Sequence, residues 1–240
     1  MIGCECEVCR SPNPRDQRLR SSIYVETPEC AFVVDTGPDF RTQALREKIR
    51  SVDAVVFTHS HTDHVMGFDD LRRFSHARGY MPVYAAAETM RDLQRIFQFA
   101  FNTPNPVPYY LRPEPHVIDG PFRLGETLIT PLPVPHGDST VNGYLFSRSG
   151  RSLVAYLSDC SAVPDAIVDL ITSVKVLIID ALRDKPHPTH LSVGQALEIA
   201  RRARPETTYF THIGHELAQS AESRLPENVR IAYDGLKLRL

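Results

Sequence analysis

Three histidines and one aspartate crowd the segment His59-Ser60-His61-Thr62-Asp63-His64, directly after the apolar run 52–57. No apolar residue separates them, so they cannot serve a hydrophobic core, and imidazole with carboxylate is a donor set suited to zinc and similar divalent ions. His59 and His61 are two apart, so on an extended segment both rings project to the same side. Asp63 and His64 follow where the chain is expected to turn into a helix, and two neighbouring ions can share such a segment. Further ligands are expected among polar residues stranded at the ends of other apolar runs, which puts side chains at one edge of a sheet. His136 follows 132–135, Asp159 follows 154–158 and His212 follows 209–211. Asp159 offers two oxygens and is the natural bridge between two cations about 3.5–4 Å apart.

A second cluster, Cys4-x-Cys6-x-x-Cys9, opens the chain, while Cys30 and Cys160 stand alone. Three thiolates leave a tetrahedral zinc one ligand short. Five cysteines in a chain of cytosolic character argue against a disulfide framework and for metal binding. The opening Met1-Ile2-Gly3-Cys4-Glu5-Cys6 lacks the basic and apolar regions of a secretory signal, and no apolar stretch approaches the ~18 residues of a membrane span. A cytoplasmic protein without membrane contact is expected. The formal charge of −2, with no basic block, does not suggest a track for a nucleic-acid polymer. Bound divalent ions would concentrate positive charge at the sites, which favours a small anionic substrate.

The elements that must position these residues follow from the apolar pattern. Runs bounded by turn residues predict strands at 31–35, 52–57, 81–85, 127–134, 143–147, 152–157, 174–180, 207–211 and 229–233. Helical patterns fall between them at 42–49, 67–77, 87–100, 163–171 and 192–203, the last opened by Ser192 as N-cap. Interleaving of this kind predicts a layered α/β architecture, and 240 residues with 42% hydrophobic content fit one domain spanning 1–240. The stretch 102–115 carries five prolines, which exclude a helix interior and predict an extended connector; Tyr109 and Tyr110 give it a second use as a substrate rim or dimer contact.

The motif at 59–64, followed in order by His136, Asp159 and His212, resembles the metallo-β-lactamase superfamily over nearly the whole chain. Within it, the segments 3–9, 35–41 and 211–215 are similar to the PhnP-like subfamily of cyclic-phosphate phosphodiesterases. The resemblance implies an αββα four-layer sandwich with the site at one edge of two sheets. It implies one metal on His59, His61 and His136, a second on Asp63, His64 and His212, and Asp159 between them. Asp35 is implied to hold loops or to support a ligand rather than to bind metal. His215 is implied as the fourth ligand of a structural zinc on Cys4, Cys6 and Cys9. Members of that subfamily begin with an extra strand and a Gly-Thr-Gly turn before the Gly-Cys segment. This chain starts at Met1 without them, so either an amino-terminal edge strand is missing or the start lies upstream.

The implied reaction is hydrolysis of a small, cyclic phosphodiester, with two zinc or manganese ions activating water and neutralising phosphoryl oxygens. Asp63 and Asp159 are the expected catalytic carboxylates. His190, 22 residues before His212, is the expected donor of the proton that the leaving alkoxide requires. His187 is the less favoured neighbour, and His76 and His116 read as ordinary histidines. Arg41, Arg72 and Arg73 could hold a second phosphate, although solvated arginines are the commoner case. The partner expected is a small phosphodiester and not a nucleic-acid polymer, with a homodimer possible. Alternatives are an oxidative enzyme like PqqB, of similar fold and with a comparable cysteine-zinc feature, and a thioester or lactone hydrolase on the same metals. A non-catalytic scaffold disagrees with so complete a ligand set.

Overall fold

The computed structural model describes residues 1–75, 78–102 and 109–240. The chain divides into two compact units, one formed by Arg20–Glu126 and the other by Met1–Leu19 with Thr127–Leu240.

The 20–126 unit contains β1 (Ile23–Glu26), β2 (Ala31–Val34), α1 (Phe40–Arg46), β3 (Ala54–Val56), α2 (Thr62–Val65), α3 (Arg72–Ser75), β4 (Met81–Ala86), α4 (Ala87–Ile96), α5 (Gln98–Phe101), β5 (Pro113–Ile118) and the short β6 (Phe122–Leu124). Its sheet runs β1-β2-β3-β4-β5, antiparallel between β1 and β2 and parallel thereafter. β2 and β3 are apolar and buried along their whole length, as interior parallel strands must be. Phe57, Phe68 and Phe97 pack ring to ring behind them, 5.8 and 4.8 Å apart, in a core shared with Phe40, Leu71 and Leu93. Each buried phenylalanine contributes about 1.5–3 kcal/mol of transfer free energy.

Three expectations for this unit are corrected here. The helix expected over 87–100 breaks at Phe97, whose φ of −108° and ψ of 42° leave the helical region, and continues as α5. The one expected over 67–77 is a 3-10 turn, Phe68–Leu71, followed by α3, as far as Ser75. His76 and most of the proline-rich stretch fall outside the described residues. Pro113 and Pro115 were expected in a loop and lie in β5, an edge strand where a missing N–H costs no ladder bond. Tyr109 and Tyr110 are exposed, with the Tyr110 ring 5.8 Å from that of Phe99.

The second unit contains β7 (Thr127–His136), β8 (Ser139–Arg148), β9 (Arg151–Leu157), α6 (Asp165–Leu170), β10 (Val176–Asp180), α7 (Val193–Ala203), β11 (Thr207–Thr211) and β12 (Val229–Ile231). Its strands lie in the order β12-β11-β10-β9-β8-β7. β7, β8 and β9 are antiparallel; β9 through β12 are parallel. β7 and β8 are longer than expected because they form one hairpin, closed at His136↔Ser139. Pro131, Pro133 and Pro135 do not interrupt it: their period of two keeps every missing N–H on one side of the strand. Leu157, Leu177, Ile179, Phe210, Ala196 and Ala200 belong to the core of this unit. α7 starts with a capping box in which the Ser192 side chain accepts from Gln195 N and the Gln195 side chain accepts from Ser192 N, worth about 1 kcal/mol.

In both units the polar residues follow the carboxyl ends of parallel strands. Asp35 follows β2, His59 comes three residues after β3, Asp159 two residues after β9, Asp180 is the last residue of β10, and His212 follows β11. That edge is where open α/β sheets bind ligands. Among the described residues, no helix is long and apolar enough to cross a membrane.

Candidate metal centre

In the 20–126 unit, Asp35 organises the histidine motif. Its backbone is left-handed, with φ of 63°, and its carboxylate is fully buried. Thr58 N donates to Asp35 Oδ1 and Thr58 Oγ1 to Asp35 Oδ2, both at 2.8 Å, and His64 Nδ1 lies 2.8 Å from Oδ2. Burial pushes the Asp35 carboxyl up, opposed by the His64 ring beside it. Because the Thr58 hydroxyl already donates to Asp35, it accepts from His59 Nδ1 at 3.0 Å. The Nδ1 atoms of His59 and His64 are therefore donors, and in the neutral ring each Nε2 carries the lone pair that a metal requires.

The His59 ring centroid is 4.5 Å from that of His61 and 4.3 Å from that of His64. Asp63 Oδ2 lies 3.8 Å from His64 Nε2. His61 is exposed and opens α2 as its N-cap. Ser60, pointing away from its histidine neighbours, donates to Asp92 Oδ2 on α4 at 2.7 Å and anchors the loop. Gly37 makes the close packing feasible, since a Cβ there would lie 2.1 Å from Asp63 O. The structure thus brings His59, His61, Asp63 and His64 together, with Asp35 hydrogen-bonded to Thr58 and His64.

The second unit gathers His136, Asp159, His190 and His212. His136 Nδ1 donates to Thr189 O at 2.7 Å, so its Nε2 also presents a lone pair. His212 Nε2 lies 3.3 Å from Asp159 Oδ2, and His190 Nδ1 lies 4.0 Å from the same oxygen. His190 is stacked on His212 with centroids 4.7 Å apart, and meets His136 edge-on at 4.8 Å. His136, Asp159 and His190 have donor atoms close enough to share an ion.

Sequence reasoning missed Asp180. This buried carboxylate takes His190 Nδ1–H at 2.8 Å and Cys160 N–H at 3.1 Å on one oxygen. Burial pushes the Asp180 carboxyl up, and the bond to His190 pulls it back. The signal was present: Asp180 ends an apolar run, the same criterion that singled out Asp159.

Cys4, Cys6, Cys9 and His215 come together in the same unit. His215 Nδ1 lies 3.5 Å from Cys4 Sγ and 3.4 Å from Cys6 Sγ. A tetrahedral zinc with ordinary bond lengths requires an S···N edge of about 3.6 Å, so the spacing fits. The His215 ring pulls the Cys6 thiol down to about 6. Arg18, Asp16 and Leu19 bind Leu217 O, Gln219 N and Asp234 Oδ2, which fixes the amino-terminal segment independently of the thiols.

Other residues stay outside these clusters. His116 stacks on Tyr84 and bonds Glu114. Arg72 pairs with Asp69, and Arg41 and Arg73 are exposed.

Comparison with known proteins supplies the wider context. A domain described as "Beta-lactamase superfamily domain" matches residues 31–213. A solved structure described as a new diphosphatase from the PhnP family superposes with a TM-score of 0.91 and 39% identity, covering 100% of this chain and 91% of that one. An octanoyltransferase of Porphyromonas gingivalis is 33% identical over 98% of this chain and 48% of its own length. A ribonuclease Z of Bradyrhizobium diazoefficiens is 28% identical over 58% of this chain and 47% of its own. The chain spans about half the length of these two curated relatives. The domain match over three-quarters of the chain, carried by two α/β sheets, makes this protein a member of the beta-lactamase superfamily.

Proposed function

We propose that this protein is a metal-dependent hydrolase of small phosphodiesters that works through two divalent ions. His59, His61 and His136 would hold one ion and Asp63, His64 and His212 the other, with Asp159 between them. The observation that carries the reading is the commitment of Nδ1 in His59, His64 and His136 to oxygen acceptors, which in each neutral ring puts on Nε2 the lone pair that a metal requires. This donor set of imidazole and carboxylate fits zinc or manganese. When bound, such ions supply Lewis acidity, acidifying water and offsetting charge on phosphoryl oxygens.

The chain's own groups do the rest. Asp63 and Asp159 accept protons at the attacking side. His190, its Nδ1–H held by Asp180, has only Nε2 with which to protonate a leaving oxygen, and Asp180 balances the charge of the ring that does so. Cys4, Cys6, Cys9 and His215 would close a zinc site with four protein ligands, leaving no position for water, so that site is structural.

The 39% identity to a PhnP-family diphosphatase supports phosphorus as the centre attacked. A phosphodiester and a substituted diphosphate both present a phosphorus with two bridging oxygens and one negative charge, so they form one substrate class. The near-neutral charge supports a small substrate over a polymer. A second reading, thioester hydrolysis on the same metals, draws on the octanoyltransferase relative.

The test is hydrolysis of bis(p-nitrophenyl) phosphate by metal-quantified protein, beside p-nitrophenyl phosphate, an octanoyl thioester and the His190→Ala variant. Diester turnover that drops in the variant, with little monoester or thioester cleavage, is expected. Thioester turnover without diester turnover overturns the phosphodiesterase reading.

A further inference from the structure

His187 is the one described histidine of the 186–190 loop that the reaction above leaves without a task. Its Nδ1 accepts from Thr189 N–H at 3.3 Å and lies 3.2 Å from Thr189 Oγ1. A backbone amide only donates, so Nδ1 carries the lone pair and the proton of the neutral ring sits on Nε2. His136 has the opposite tautomer, because its Nδ1 donates to the carbonyl of the same Thr189. One threonine thus sets two imidazoles with opposite polarity. His136 shows a lone pair, suited to a cation, and His187 shows an N–H, suited to an anionic oxygen.

The loop is braced to hold that ring still. Arg183 donates to Lys185 O and Pro186 O and pairs with Glu216 at 2.9 Å, and the base of the loop is closed by the Arg183↔Ser192 bridge. Gly137, with φ of +60°, gives Thr189 room, since a Cβ there would stand 2.9 Å from Thr189 Cγ2. The His187 ring is half-buried, 5.2 Å from that of His190. Burial, with the charges of His190 and Arg183 nearby, holds it below the usual imidazole range, which favours the neutral donor form.

We infer that His187 is a substrate-binding residue whose Nε2–H donates to an anionic oxygen carried by the leaving group, so that substituted diphosphates are preferred to simple aryl diesters. The inference rests on the phosphodiesterase reading and on His190 as the leaving-group donor. With His190 at the bridging oxygen, a partner ring about one ring-width further reaches the oxygens of a second phosphoryl group, which a p-nitrophenolate leaving group does not have.

The experiment compares wild type, His187→Ala and His187→Gln on bis(p-nitrophenyl) phosphate and on a P1,P2-di(adenosine-5′) diphosphate, with metal content and Tm recorded. One hydrogen bond to a charged oxygen predicts that the ratio of kcat/KM for diphosphate over aryl diester falls about tenfold in His187→Ala, mainly through KM. His187→Gln, whose amide N–H reaches the position of Nε2, should restore most of that ratio. An unchanged ratio in both variants, or wild-type cleavage of the aryl diester alone, overturns the inference while leaving the phosphodiesterase reading intact. Absence of turnover on both substrates by metallated wild type overturns that reading itself.

Discussion

Asp180 Oδ2 and His190 Nδ1 stand 2.8 Å apart at the carboxyl end of β10, with the Cys160 amide directed at the same carboxylate oxygen. A buried carboxylate in that position fixes both the ring's orientation and the nitrogen that carries its proton. Asp180→Asn keeps the shape and removes the charge. Because a positioned general acid contributes about 10²–10⁴-fold, kcat on a phosphodiester should fall by on the order of 10² with KM little changed. Steady-state kinetics with a Tm measurement separates this from misfolding.

Asp35 offers a comparable test in the other unit. It orients His64 directly and His59 through Thr58. Asp35→Asn should weaken active-site metal binding by about 10–100-fold, the usual effect of removing an outer partner of a ligating histidine. Competition with a chromophoric chelator reads the affinity, and an unchanged value would make Asp35 purely a folding residue.

Asp159→Ala should abolish activity and lower active-site metal while the cysteine-bound zinc stays. Elemental analysis of the purified variant distinguishes the two; loss of all metal together contradicts two independent sites.

Cys6→Ser should lower Tm by several degrees, with zinc content reduced by one per chain and turnover per correctly folded molecule largely kept. The metal-free protein carries a second signature. Cys6 is held down to about 6, so it is a thiolate at neutral pH, and alkylation by iodoacetamide should be fast above that pH and slow as pH falls through it. Zinc should protect the thiol, and equal labelling with and without zinc would contradict the four-ligand site.

The candidate ligand residues stand out in the sequence because each combines two signals, a chemically committed side chain and a place just beyond an apolar run. His136, Asp159 and His212 needed no tertiary information. Asp180 satisfies the same rule, but as the last residue of the run 174–180 it reads as part of the strand. Thr189 could not be found this way: its role lies in the backbone, which accepts from one histidine and donates to another, and no residue type encodes that. β5 was lost to its own prolines, which forbid interior strands but not edges. The break at Phe97 was equally hidden, since 87–100 keeps an amphipathic pattern through a local change of backbone that packing decides.

The grouping of Met1–Leu19 with Thr127–Leu240 has a consequence for synthesis. Cys4, Cys6 and Cys9 leave the ribosome before His215, the proposed fourth ligand, which follows roughly 200 residues later. At about 5–20 residues per second that is an interval of roughly 10–40 s in which three adjacent thiols wait without their fourth ligand. Leu217, Gln219 and Asp234, the anchors of the segment, arrive later still. With the zinc site proposed above, the nascent chain is open to oxidation and to capture of a wrong metal during that interval, and maturation yield should depend on the zinc and thiol balance of the cell.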